Sequence, residues 1–302
     1  MFNTILVGTD AAAKGRKAVT VGEALAQITG DRLLLVAVRP DPLVDIPALH
    51  VADQIAQREE LAHRLRALRD ELAPGASTGV QPAVSVAHGL RIAAKRERAG
   101  LVVMGVSARH GAARLMEGDH ALQVMHGAPC GVLVVPETPV GTRQTLQQIV
   151  VGADNTPEAA EACRLGAELA ARSGARLHVV TVVDDAPPLM MFSSYAAQDW
   201  DEILEEERAE ATRRVQSIVA RSGVARADGE VLTGSVVDQL VEASREADLL
   251  VLGSRRWGAI RRVALGSTTA HVLRTAHCPV LVPPRTSAAP AVDPAAEQAV
   301  AK

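Results

Sequence analysis

Residues Thr4–Asp10 read "TILVGTD", and Gln148–Asp154 read "QIVVGAD". Each is a run of apolar residues on consecutive positions, ending in glycine, a small residue and an aspartate. Apolar residues on consecutive positions suit a strand buried on both faces of a parallel sheet; a strand with one wet face would alternate. The two runs lie 144 residues apart, and the same interval separates "GDRLLLVAV" (Gly30–Val38) from "GARLHVVTV" (Gly174–Val182). An interval of 148 separates "LVVMG" (Leu101–Gly105) from "LLVLG" (Leu249–Gly253), and "APCGVLVVP" (Ala128–Pro136) from "AHCPVLVPP" (Ala276–Pro284). The chain is therefore a tandem duplication of a unit of roughly 140 residues, with small length changes in surface loops.

Helical patterns follow the strands. "PEAAEACRLGAELAARSG" (Pro157–Gly174) opens on proline at a first turn and closes on glycine, a C-cap residue. "DEILEEERAEATRRVQSIVARSG" (Asp201–Gly223) is acid-rich early and basic late, as the helix dipole favours. Its first-half counterpart is "REELAHRLRALRDELAPG" (Arg58–Gly75). A β-α-β-α-β-α-β-α-β order in each half predicts an α/β fold of two tandem, doubly wound, open parallel five-stranded sheets, Rossmann-like in architecture. The expected boundaries are 1–137 and 147–285 for the two domains, joined by a polar linker at 138–146. The low-complexity tail 286–302 is expected to lack fixed structure.

Composition excludes several classes. Of the 302 residues 48% are apolar but only 2% aromatic, so the cores are built from Ala, Val and Leu; base-stacking platforms for single-stranded nucleic acid need aromatic rings. A net charge of -3 gives no global pull toward nucleic acid or an anionic membrane. No apolar run approaches about 18 residues, and the N-terminus enters a strand at once without a leader pattern. The expectation is a cytoplasmic protein with neither membrane nor nucleic acid as partner. Three widely spaced cysteines, Cys130, Cys163 and Cys278, form no disulfide framework and no CxxC, and no metal site is expected.

In doubly wound sheets, ligands sit beyond the carboxyl ends of the strands. Three pieces of each half converge there: the end of strand 1 at Asp10 or Asp154, the end of strand 2 near Val38 or Val182, and a glycine loop after strand 4. That loop enters a helix near Gly118 in the first half and Gly266 in the second. Gly266-Ser267-Thr268-Thr269 offers backbone N–H groups and three hydroxyls at a helix start, a place for phosphate. Asp154 offers an acceptor for a ribose. The competing reading is a plain strand-to-loop turn at Gly253 and an N-cap at Ser267. Neither a GxxxxGK[ST] loop nor a GxGxxG after strand 1 is present.

On "ILVGTD", "IVVGAD", "ADLLVLGSR", "LGSTTAHVL" and "CPVLV", both halves resemble universal stress protein domains, and the chain resembles a tandem universal stress protein. The resemblance implies ATP as ligand, with Mg²⁺, and a stress-response sensor or regulator, with slow ATP hydrolysis at most. In ATP-binding members the loop reads Gly, two residues, Gly, nine residues, Gly, then Ser or Thr. The second half has Gly253, Arg256 in place of the middle glycine, Gly266 and Ser267; the first has Gly105, Ala108, Gly118 and Asp119. A carboxylate at Asp119 repels phosphate, so nucleotide is expected mainly in the second half. Arg255 and Arg256 are candidate phosphate contacts there. The candidate set is Ala153, Asp154, Val182, Leu252, Gly253, Arg255, Arg256, Gly266, Ser267, Thr268 and Thr269, with Asp10, Val38, Gly105 and Gly118 as a weaker first-half set. The resemblance further implies that the apolar last strands pair, giving an internal pseudo-dimer, with a homodimer as a further step. The alternative is an interaction scaffold of the same family that binds no nucleotide, or a cyclic one.

Overall fold

The computed structural model describes residues 1–12, 15–40, 51–105, 120–136, 145–186, 197–254 and 267–284. The first half runs β1 (Thr4–Gly8), α1 (Arg16–Thr29), β2 (Arg32–Pro40), α2 (Val51–Leu72), β3 (Ser77–Ala83), α3 (Val86–Arg96), β4 (Leu101–Gly105), α4 (His120–Met125) and β5 (Gly131–Val135). The second repeats the order: β6 (Gln148–Gly152), α5 (Pro157–Ser173), β7 (Arg176–Val183), α6 (Ala197–Arg221), β8 (Ala227–Thr233), α7 (Val236–Ala243), β9 (Leu249–Leu252), α8 (Ser267–Thr275) and β10 (Val280–Val282).

Within each half the strands are parallel, in the order β3-β2-β1-β4-β5 and its equivalent β8-β7-β6-β9-β10. The chain leaves β1 to one side for β2 and later returns to the other side for β4. The crevice between β1 and β4, or between β6 and β9, is the switch point where such sheets bind ligands. The two five-stranded sheets share one ladder: β10 pairs antiparallel with β5, Leu281 opposite Leu133.

Local chemistry explains the elements. In α5 the Thr156 side chain caps the first turn by accepting from the Ala159 N–H, Pro157 fills a position that needs no donor, and Gly174 closes the helix at φ 73°. α2 and α6 begin earlier than the sequence patterns at Arg58 and Asp201 suggested, at Val51 and Ala197. Alternate residues of the central strands feed opposite faces of the sheet. Leu133 and Leu281 join the layer under α1, α2 and α5, whereas Val132, Val134, Val280 and Val282 join the layer under α3, α4, α7 and α8. Each buried layer contains residues of both halves.

Candidate functional site

At the β6–β9 switch point lies a cleft of about 110 Å³. Its walls come from four places. Gly152 ends β6 and Ala153 and Asp154 follow it, with Thr156 and Ala159 at the start of α5. Val180 and Val182 come from β7, and Val236 and Leu240 from α7. Leu252 ends β9, Gly253 and Ser254 follow it, and Thr268 and Thr269 lie in the first turn of α8. Of the residues expected from sequence, Ala153, Asp154, Val182, Leu252, Gly253, Thr268 and Thr269 are thus brought together. Ser267 is the first residue of α8, while Arg255, Arg256 and Gly266 lie outside the described residues.

Hydrogen bonds fix the acidic end. The Thr156 N–H donates to Asp154 Oδ1 at 2.9 Å, and the Thr156 hydroxyl donates to the same oxygen. Thr156 Oγ1 in turn accepts from the Ala159 N–H at 3.1 Å, so one side chain both caps α5 and holds the aspartate. Oδ1 is saturated by these donors, and among the described residues none reaches Oδ2. An ionised carboxylate only accepts, so this end of the cleft takes hydroxyl or amine donors and rejects anions. The Ala153 backbone is already in use: its N–H donates to the Val180 carbonyl at 2.8 Å, and its carbonyl accepts from the buried Thr181 hydroxyl at 2.9 Å.

The lining also carries hydroxyls. Ser254 is 3% exposed and Thr269 6% exposed, and the Thr269 hydroxyl donates to the Gly253 carbonyl at 3.4 Å. Here α8 presents its N-terminal N–H groups, which favour negative charge. Val180, Val182, Val236, Leu240 and Leu252 supply apolar lining, suited to a flat, poorly hydrated group. The cleft therefore suits a ligand with an apolar plate, a hydroxyl donor and an anion.

The equivalent place in the first half differs. Among the described residues Asp10 accepts from the Ala12 N–H, at 2.9 Å, and Ala12 has no hydroxyl to match Thr156. Thr9 takes the Ala153 position, with its N–H donating to the Val36 carbonyl at 3.0 Å. Val38 is partly buried in β2 and Gly105 ends β4, but Gly118, Asp119 and the loop before them lie outside the described residues. So do His110, Arg261, Arg262, Trp257, Met190, Met191, Phe192, most of the linker and the tail.

The candidate set from sequence lacked Gly152, Thr156, Ala159, Val180, Val236, Leu240 and Ser254. Thr156 carried a readable mark, since Thr before Pro at a helix start is an N-cap signature. Ser235–Val236 repeats Ser85–Val86, but only the fold carries that helix to the cleft.

The cysteines stay away from solvent chemistry. Burial pushes the Cys130 and Cys278 thiols up to about 12, and burial with the nearby Asp154 charge pushes Cys163 to about 11. At pH 8 all three are thiols, and thiolate is the reactive form. Native protein is expected to resist an aromatic disulfide reagent at pH 8 and to release three equivalents only after denaturation. Rapid labelling of native protein would contradict the buried placement. Among the described residues no group of three or more His, Cys, Asp or Glu side chains is arranged to hold a metal, and no helix is long and apolar enough to cross a membrane.

A model of the Universal stress protein family matches residues 1–136 and again 145–284. A universal stress protein of Methanocaldococcus jannaschii is 30% identical over 138 residues, covering 45% of this chain and 81% of that one. One from Mycobacterium tuberculosis is 26% identical over 309 residues, covering 95% and 97%. Among solved structures, a universal stress protein from Archaeoglobus fulgidus superposes with a TM-score of 0.67 at 17% identity, covering 94% of this chain and 97% of that chain. That likeness concerns the fold.

Proposed function

The chain belongs to the universal stress protein family, and from that premise we propose that it binds ATP in the β6–β9 cleft and acts as a nucleotide-dependent, cytoplasmic sensor or regulator. The observation that carries this reading is the convergence of three chemistries in one cleft. Asp154 offers a fixed acceptor for a ribose hydroxyl. Val180, Val182, Leu240 and Leu252 offer an apolar wall for the base. Ser254, Thr268, Thr269 and the N-terminus of α8 offer donors for phosphate. Mg²⁺ would travel on the phosphates, as it commonly does, because the described part of the cleft has one carboxylate only.

Arg255, Arg256, Gly266 and Ser267 are proposed to complete the phosphate end. The first half, with Asp10, Val38, Gly105 and Gly118, is proposed as the weaker site, since Ala12 leaves Asp10 without the hydroxyl that holds Asp154. The proposed domains are 1–137 and 147–285, joined as an internal pseudo-dimer; the β5–β10 ladder supports that arrangement.

The test is calorimetric titration of the full chain with MgATP. A hydrogen bond to a charged group contributes about 1.5–3 kcal/mol, so Asp154→Ala is expected to weaken binding about tenfold or more, with Asp10→Ala close to wild type. No heat, and no nucleotide released from denatured protein, would replace this reading by a scaffold without nucleotide.

A further inference from the structure

A basic groove runs along α3 in the first half. Its walls include His88, Arg91, Ile92 and Lys95 of α3 and His126 and Pro129 beyond α4, around a space of about 490 Å³. Arg91 and His126 also line a second hollow, of about 520 Å³, that reaches Ser85 and Gln123, so the two hollows form one groove. From Ser85 to Lys95 the helix extends about 15 Å, at about 1.5 Å per residue. No Asp or Glu occurs in 72–96 or in 120–136, the stretches that supply both walls. The next carboxylate along the chain, Glu97, is held by Arg96 at 3.0 Å and Arg32 at 3.1 Å.

The basic side chains share one side of the helix. His88, Arg91 and Lys95 stand three and four residues apart, the spacing of neighbours on a helix surface. The Arg91 guanidinium donates to the His126 carbonyl at 2.8 Å and lies against Gly127, where a Cβ would come within 3.3 Å of Arg91 Nη1. The His126 ring is fixed as well, its Nδ1 donating to the Leu122 carbonyl at 2.7 Å. His88, Lys95 and His126 are exposed, and so is Ile92, at 37%, in the middle of the basic stripe. The fold alone does not demand this pattern. Leu90 fills the space above Gly8 as Leu240 fills the space above Gly152, which makes α3 and α7 equivalent at an interval of 150. That interval carries His88 to Asp238 and Ile92 to Glu242, both exposed, so the equivalent helix of the second half is acidic where α3 is basic or apolar.

We propose that this groove binds an extended acidic segment of a partner protein, about five residues long, with an apolar side chain seated on Ile92 and Pro129 and carboxylates on either side meeting Lys95, Arg91 and His88. Length, charge and apolar area select that occupant. About five residues of extended chain, at about 3.3 Å each, cover the groove. Carboxylates complement walls that hold cations and no acid. Ile92 and Pro129 call for an apolar contact, which a phosphate or a free polyphosphate does not bring. The N-terminus of α3 is not offered to phosphate either, because Ser85 Oγ accepts from the His88 N–H at 3.2 Å. No Phe, Tyr or Trp lines the groove to stack the bases of a nucleic acid. Each exposed ion pair contributes little, so binding is weak and salt-sensitive, with the charges setting register and encounter rate. This proposal does not depend on nucleotide binding in the β6–β9 cleft.

Fluorescence anisotropy of the full chain tests it with three labelled hexapeptide pools. One has leucine at the third position and aspartate or glutamate elsewhere; one has glycine in place of the leucine; one keeps the leucine among asparagine and glutamine. At about 25 mM salt the acidic leucine pool is expected to bind about tenfold or more tightly than the amide pool, and more tightly than the glycine pool. Its binding is expected to weaken about tenfold at about 500 mM, where charges are screened within a few ångströms. Arg91→Glu with Lys95→Glu is expected to abolish the preference for acid, and Ile92→Ser only the preference for leucine. Arg58→Glu with Arg213→Glu, at exposed sites of α2 and α6, makes the same change in net charge and is expected to leave binding unchanged. Both double variants are expected to melt in urea like wild type. No binding, as when a second copy or another segment of this chain fills the groove, equal loss in the two double variants, or equal binding of the leucine and glycine pools would each overturn the proposal. Displacement by tripolyphosphate in that last case would assign the groove to small anions.

Discussion

Replacing Gly253 by alanine is expected to destabilise the protein by about 1–3 kcal/mol and to weaken MgATP binding about tenfold or more. A Cβ at this position falls 2.8 Å from the Ala159 nitrogen, 2.8 Å from the Glu158 carbonyl carbon and 3.0 Å from the Glu158 oxygen. These are backbone atoms in the first turn of α5, which Thr156 caps and the core holds from beneath, so no side-chain rotation relieves the clash. The end of β9 must move away from α5 instead. Gly253 and Ser254 stand on one lip of the cleft, Asp154 and Ala159 on the other. A shift there changes the span between the Asp154 acceptor and the donors of α8, which the proposed nucleotide would bridge. Gly152→Ala is the matched control. Its Cβ meets Leu252 Cδ2 at 2.6 Å and Leu240 Cδ2 at 3.3 Å, side-chain ends that can turn aside. Urea melts and titrations on both variants decide the matter. A Gly253→Ala protein that melts and binds like wild type would mean that β9 does not press on α5. If wild-type protein binds no nucleotide, the stability difference between the two variants still stands as a test.

The contrast between Gly253 and Thr156 shows what the sequence makes legible. Gly253 ends an apolar run repeated 148 residues apart, so its place at a strand tip follows from the duplication alone. Asp154 is legible for the same reason, and the parallel five-stranded halves follow from runs such as Ile149–Val151, whose residues are all buried. Thr156 stands before Pro157, where an N-cap residue belongs, but its grip on Asp154 Oδ1 is a property of the turn rather than of residue type. Val236 and Leu240 lie four residues apart on α7, in a segment for which the sequence reading named no helix. Only the crossover that sets α7 over β7 and β8 carries them to the cleft.

The β5–β10 ladder leads to the second large effect. Leu281 is fully buried in β10, opposite Leu133 of β5 and beside Val251 of β9. Its cluster contains Ile5, Val7 and Leu133 from the first half and Ile149, Val151 and Val251 from the second. Truncating a buried leucine costs about 2–5 kcal/mol, the larger values arising where surrounding strands cannot collapse onto the gap. β10 is held on both sides by ladder hydrogen bonds, so Leu281→Ala is expected near the upper part of that range. The more telling outcome is where the loss is felt. If each half had its own core, hydrogen exchange would quicken in β6, β9 and β10 and leave β1 unchanged. With one layer shared across the junction, exchange in β1 (Thr4–Gly8) is expected to quicken by a similar factor, because opening either half exposes apolar surface of the other. Unchanged protection of Ile5–Val7 beside a destabilised β6 would mean that the halves unfold separately and that the β5–β10 ladder joins two cores without merging them.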